Sequence, residues 1–240
     1  DQLVPLFEVI AAGTILGALL LIPFMTPRRL PLFHLIALAL VAVGAWMDSK
    51  STMDTRPAQM MLSQGMIACA GALFLAPAMM RGLMSALARG PNYILSFIIV
   101  FVSTQSLGAV IGSGMFTTFI NHRQALHLQL MREELTTADP LTLQEIAHRA
   151  ATFAPQIADA AARKAQALTL IAQDASNQAY VMAYNVAYLL TALVAAAALC
   201  LLLLHLFRDW LMARWWPAPS VPAPASAPAP SSAPNSTPSH

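Results

Sequence analysis

Two glutamines stand inside hydrophobic runs of this sequence. Gln105 lies in "FVSTQSLGAVIGSGMFTTFI", Phe101 to Ile120, with Ser103, Thr104 and Ser106 around it. Gln64 lies beside Ser63 in an earlier run. A side-chain amide in hydrocarbon is costly unless it meets a hydrogen-bonding partner or a wet cavity. Such groups can tie one helix to another, or they can line a polar route for a solute. Gln64, Ser103, Gln105 and Ser106 are the candidates for the second role. Other chemistry has less to stand on. Glu8 is near the end of its run, within reach of headgroups or water, and His34 and His205 sit close to Arg29 and Arg208 as interfacial groups do. His122 and His127 are five apart, which misses the i,i+4 spacing of paired helix ligands, and no third ligand accompanies them. No phosphate-binding glycine loop, nucleophile elbow or metal motif is present. The expectation is therefore a protein without catalytic residues, metal or cofactor.

Side chains of this kind need a scaffold in lipid, and the composition supplies one. Of 240 residues, 58% are hydrophobic and 10% are charged, against about 25% charged in ordinary soluble domains. So little charge can barely clothe a water-soluble surface, and an integral membrane protein follows. The formal charge of +2 and the lack of a basic, aromatic-interleaved patch exclude a nucleic-acid partner. Cys69 and Cys200 lie in separate apolar runs with no spacing partner, so no disulfide framework is expected.

Spanning the hydrocarbon takes about 20 apolar residues in a helix. Five stretches qualify: Leu6–Met25, Leu32–Met47, Met60–Met80, Ile94–Ile120 and Ala179–Phe207. With all backbone groups bonded within their own segments, these are helices, and the fold class is all-α. Gly13 with Gly17 and Gly108 with Gly112 are small-xxx-small pairs that let helix backbones approach closely. Arg28, Arg29, Arg81, Arg89, Arg208 and Arg214 flank one set of span ends, which puts that side and the C-terminus in the cytoplasm. The other side carries "DSKSTMDTRPAQ", whose charges cancel, and the long polar segment from Asn121 to Gln178.

That segment reads as a helical extracytoplasmic loop. "RQALHLQLMREEL" has helical spacing, Asp139-Pro140 breaks it, and Thr142 with Glu145 forms a capping-box pattern opening a second helix. A third polar helix, with Asp159 and Arg163 spaced as an i,i+4 pair, runs into the last span. Residues 208–216 form an interfacial segment anchored by Trp210, Trp215 and Trp216. The Pro/Ala/Ser-rich stretch 217–240 cannot bury a core and is expected to be a solvated, disordered tail.

Several of these stretches together resemble one family. "STQSLGAVIGSGMFTTFINHRQALHLQLMREEL" is similar to a segment of EmrB/QacA-type drug/proton antiporters of the major facilitator superfamily, where a span runs straight into a polar periplasmic helix. Gln64-Gly65 and Pro77 resemble that family's preceding span, and "ASNQAYVMAYNVAYLL", with Asn177-Gln178 and Asn185, resembles the approach to its last span. The likeness covers Arg28 to Phe207. It implies that the five spans correspond to the last five of a fourteen-span transporter. A chain beginning at Asp1 would then be the C-terminal portion, completed by an N-terminal half. The resemblance also implies the bacterial inner membrane, small amphiphilic substrates exchanged for protons, a HlyD-type periplasmic adaptor and an outer-membrane channel. The sequence departs from the family pattern in several places. An arginine is frequent in that family at or near the position of Gln105, its intracellular glycine-arginine motif is reduced here to "TPRRL", and its coupling carboxylates belong to the N-terminal half. The alternative reading is an intact five-span accessory or scaffold protein that transports nothing itself.

Overall fold

The computed structural model describes residues 3–26, 28–136 and 140–215. Asp139, the side chain of Thr142, Trp216 and the tail 217–240 lie outside the described residues, so the capping box and the tail do too. Apart from one 3-10 turn, the elements are α-helices: α1 (Val4–Phe24), α2 (Leu30–Asp48), α3 (Met61–Arg89), α4 (Asn92–Thr136), α5 (Pro140–Thr152) and α6 (Ala160–Trp215). The turn, Pro57–Met60, leads into α3. Five of the six, all but α5, are long and apolar enough to cross a membrane.

Several helix ends have identifiable causes. α1 and α2 carry proline in their first turn, where no amide hydrogen is needed. α5 begins at Pro140 in the same way. Pro77 sits fully buried inside α3, and the helix continues through it. α3 also continues past Met80, so Arg81 is helical and does not belong to a connection as the sequence suggested. The helix stops only at Gly90. There φ is +125°, a conformation that L side chains rarely adopt, and Pro91 follows. A rise of about 1.5 Å per residue makes the 19-residue α2 about 28 Å long. The 45 residues of α4 and 56 of α6 give about 68 and 84 Å, far beyond a hydrocarbon core of about 30 Å. Their polar ends therefore extend out of the apolar layer.

α1, α2 and α3 form the best-packed part. Leu21, Phe33, Ala37, Cys69, Ala70 and Leu73 make its buried core. A Cβ at Gly13 would stand 2.6 Å from the Gly65 carbonyl oxygen, and one at Gly17 would stand 2.6 Å from that of Cys69. The two contacts keep one register four residues apart, so α1 and α3 run parallel with their backbones in contact. α4 and α6 run antiparallel: Ile120 packs on Ala183 and Ala187, and Gln124 Nε2 reaches Ser176 Oγ at 3.4 Å. Ala167, Ala179, Ala183 and Ala187 are all fully buried, and the last three, at four-residue spacing, form an alanine stripe that lets other helices close on α6.

α5 is tied to α6 by charge. Arg149 Nε donates to Glu145 at 2.7 Å, and its Nη1 donates to Asp174 on α6 at 2.5 Å. These two hydrogen bonds, Glu145 first, raise the Arg149 pKa above its ordinary value. A raised basic pKa stabilises below the unfolded value and loses that contribution only above it, so on the arginine side the tie holds throughout neutral pH. The expected Asp159–Arg163 pair does not form. Asp159 precedes α6 and accepts from the amides of Ala161 and Ala162, while Arg163 Nη1 donates to the carbonyls of Ile157 and Ala158. Free amides at a helix start compete successfully for a carboxylate one residue outside the helix.

From Leu204 onward the chain is a unit of its own. Within it, Asp209 accepts from Arg208 at 2.9 Å and lies 3.3 Å from His205 Nε2, and the rings of Phe207 and Trp210 stack 5.9 Å apart.

Candidate functional site

The last turns of α2 and the first turns of α3 meet at a glycine. A Cβ on Gly44 would lie 2.9 Å from the Ser63 carbonyl oxygen and 2.8 Å from Ile67 Cγ1, and Ala45 beside it is fully buried. This close approach carries Asp48, the last residue of α2, into the interface with only 3% of its surface exposed. In the sequence, "DSKSTMDTRPAQ" reads as a connection between spans whose charges cancel. Its first residue is instead the most buried charged group among the described residues.

Asp48 is met by side chains from α3. Ser63, 1% exposed, places Oγ against Asp48 Oδ1, and the same Oγ is 2.9 Å from the Met60 carbonyl oxygen. Gln64 Nε2 donates to Asp48 Oδ2 at 2.6 Å and lies 3.4 Å from Tyr188 Oη on α6. One turn earlier on the same face of α6, Asn185 Nδ2 donates to the Ser51 carbonyl at 2.7 Å. Asn185 Oδ1 is buried and has no partner. Among the described residues no cation pairs with Asp48. Lys50, two residues on, places its ammonium 3.5 Å from the centroid of Trp46.

Next to this cluster, α2, α3, α4 and α6 line an open cavity of about 370 Å³. Ala45, Gln64, Gly112, Ser113, Tyr188 and Thr191 are among its walls. Its polar side chains come from three helices: Gln64 and Tyr188 meet each other, Ser113 and Thr191 donate to carbonyls of their own helices, and Val41, Ile67 and Phe116 complete the wall, a mostly apolar lining with a few polar groups as in small-molecule sites. A larger groove, about 790 Å³, runs between α1, α2 and α3, but every residue lining it is apolar or glycine. Volume favours the groove; convergent polar chemistry favours the smaller cavity, and we place the candidate site there.

The residues singled out in the sequence divide. Gln64 is at the centre of the cluster. Ser103, Gln105 and Ser106 are exposed on α4 and do not join it. Gln105 and Ser106 nevertheless lie seven residues before Gly112 and Ser113, hence on the same helix stripe as the cavity wall, about 10 Å along it. Ser103 is off that stripe. Gly13 and Gly17 sit in backbone contacts, whereas a Cβ on Gly108 or Gly112 would meet nothing within 4 Å. The close packing expected at those two glycines therefore has no neighbour among the described residues, and Gly112 borders the cavity instead. Asp48, Ser63, Tyr188 and the partnering of Asn185 are additions from the structure. The signal was thin: a carboxylate at a span end, fifteen residues before a serine-glutamine pair.

Among the described residues no three His, Cys, Asp or Glu side chains gather as metal ligands. Comparisons with protein-family models, curated proteins and solved structures return no match.

Proposed function

We propose that this chain is the C-terminal portion of a proton-coupled exporter of small amphiphilic compounds in a bacterial inner membrane, with its C-terminus in the cytoplasm. The observation that carries the reading is the cavity among α2, α3, α4 and α6. It brings an amide and a phenol from two apolar helices beside a buried carboxylate. Polar groups there are costly, and a wet solute route is the use that accounts for their facing a cavity.

The open face of α4 supports the same reading. Its most apolar window contains no buried residue, and Gln105, Ser106 and Gly108 lie bare along it. Lipid is a poor neighbour for Gln105, and the N-terminal half of a transporter would cover this face and extend the route along the stripe. The helices beyond the apolar layer, tied by Arg149, would offer a HlyD-type adaptor its docking surface.

The test is efflux by the complete gene product. Gln64→Leu is expected to lower the export rate of rhodamine 6G about tenfold, the cost of leaving Asp48 and Tyr188 without their shared donor, with membrane insertion unchanged. Unchanged efflux would contradict the reading and favour a five-span accessory protein.

A further inference from the structure

Donor counting at Asp48 leaves one hydrogen missing. Ser63 Oγ is in hydrogen-bond contact with both Asp48 Oδ1 and the Met60 carbonyl oxygen. A hydroxyl has one hydrogen to donate, while an ionised carboxylate and a carbonyl can only accept. With Asp48 charged, Ser63 can serve one of the two. With a proton on Asp48, the carboxyl donates to Ser63 Oγ and Ser63 donates to Met60, and both contacts are satisfied. The setting matches such a proton site. The group is 3% exposed, and the titratable or polar groups facing it are Ser63 and Gln64 from α3 and Tyr188 from α6, with Tyr184 one turn before. Lys50 on its own side is engaged with Trp46. None of these supplies a neutralising cation.

We propose that Asp48 is a proton-binding site whose charge sets what Gln64 and Tyr188 present to the cavity. This goes beyond the proposed function by placing a coupling group in this portion of the protein, and it rests on that reading of the cavity as the solute site. A donor to an ionised oxygen is held about twice as strongly as one to a neutral oxygen. Charged Asp48 therefore holds the Gln64 amide back, 2.6 Å from Oδ2. When a proton from water binds the carboxylate, that tether slackens, the amide is free to turn with Tyr188 towards the cavity, and the negative charge behind the wall is gone. Release of the proton restores the tether. Proton and cationic solute thus oppose each other through one side chain.

The experiment uses the complete gene product in lipid vesicles, with two readouts. Difference infrared spectroscopy across a pH titration is expected to show a protonated carboxyl band that disappears in Asp48→Asn and returns, displaced, in Asp48→Glu. The same titration should move a tyrosine ring band that Tyr188→Phe removes. Rhodamine 6G, a lipophilic cation, is expected to bind about tenfold more weakly once Asp48 holds its proton, a modest coupling between two sites, and Asp48→Asn should flatten that dependence. A carboxyl band that survives Asp48→Asn, or a tyrosine band indifferent to the titration, overturns the proposal. So does a pH dependence of dye binding that the variant retains. If the dye binds at no pH, the solute reading of the cavity fails, and the two infrared bands still decide whether Asp48 takes up a proton that Tyr188 senses.

Discussion

Gly17→Leu is expected to unseat α1 and to remove most folded protein from the membrane. The first atom of any side chain at Gly17 would fall 2.6 Å from the Cys69 carbonyl oxygen and 3.0 Å from Ala72 Cβ. Backbone cannot swing aside as a side-chain tip can. α1 would have to lift off α3 along a seam that also includes the Gly13–Gly65 contact. Overpacking a tight interface costs about 1–3 kcal/mol, and a leucine against backbone belongs at the top of that range. Thermal melting of the detergent-solubilised protein measures it. Gly71→Leu is the control, because a Cβ there meets nothing within 4 Å, and its effect should stay within about 0.5 kcal/mol. Equal losses from the two variants would mean that the α1–α3 seam is not where the tight packing lies.

Gly44→Ala is expected to damage the site more than the fold. The added methyl meets Ile67 Cγ1 at 2.8 Å and the Ser63 carbonyl oxygen at 2.9 Å. The side chain can turn away; the carbonyl belongs to the residue that holds Asp48. Relief therefore comes by separating α2 from α3 at the turn where Asp48 meets Ser63 and Gln64. A misplacement of about 1 Å in a positioned group can cost about a hundredfold in rate, so efflux should fall by about that factor while melting moves little. Adding Ile67→Ala removes one of the two collisions and should restore activity only in part. Complete rescue would show that the side chain, not the backbone of Ser63, sets the spacing.

The helices were legible in the sequence because lipid imposes a simple rule: long apolar runs with internally satisfied backbones. What decided their ends was less visible. Arg81 looked like the start of a connection, yet arginine is a good helix former, and only Gly90-Pro91 stops α3. Asp159 and Arg163 had the spacing of an ion pair, but helix-start amides were nearer competitors for the carboxylate. The site was half legible. Gln64 stood out because an amide inside an apolar run is conspicuous on its own. Asp48 did not, because it sits next to Ser49, Lys50 and Asp54, in company that looks solvated. Its burial is a tertiary consequence of Gly44 and Ala45 drawing α2 onto α3, and no local pattern records that. The glycines teach the same lesson from the other side. Gly17 and Gly112 have the same spacing motif, and one is pressed against backbone while the other borders open space.

A wet solute site inside the protein and a crevice filled by lipid are told apart at the space walled by Gln64, Ser113 and Tyr188. A single cysteine at Ser113, in protein carrying Cys69→Ala and Cys200→Ala, separates the two most directly. A wet solute site requires that a water-soluble, membrane-impermeant maleimide modifies this cysteine and that rhodamine 6G slows the reaction. Modification by a lipid-soluble maleimide alone, at a rate the dye leaves unchanged, would contradict it.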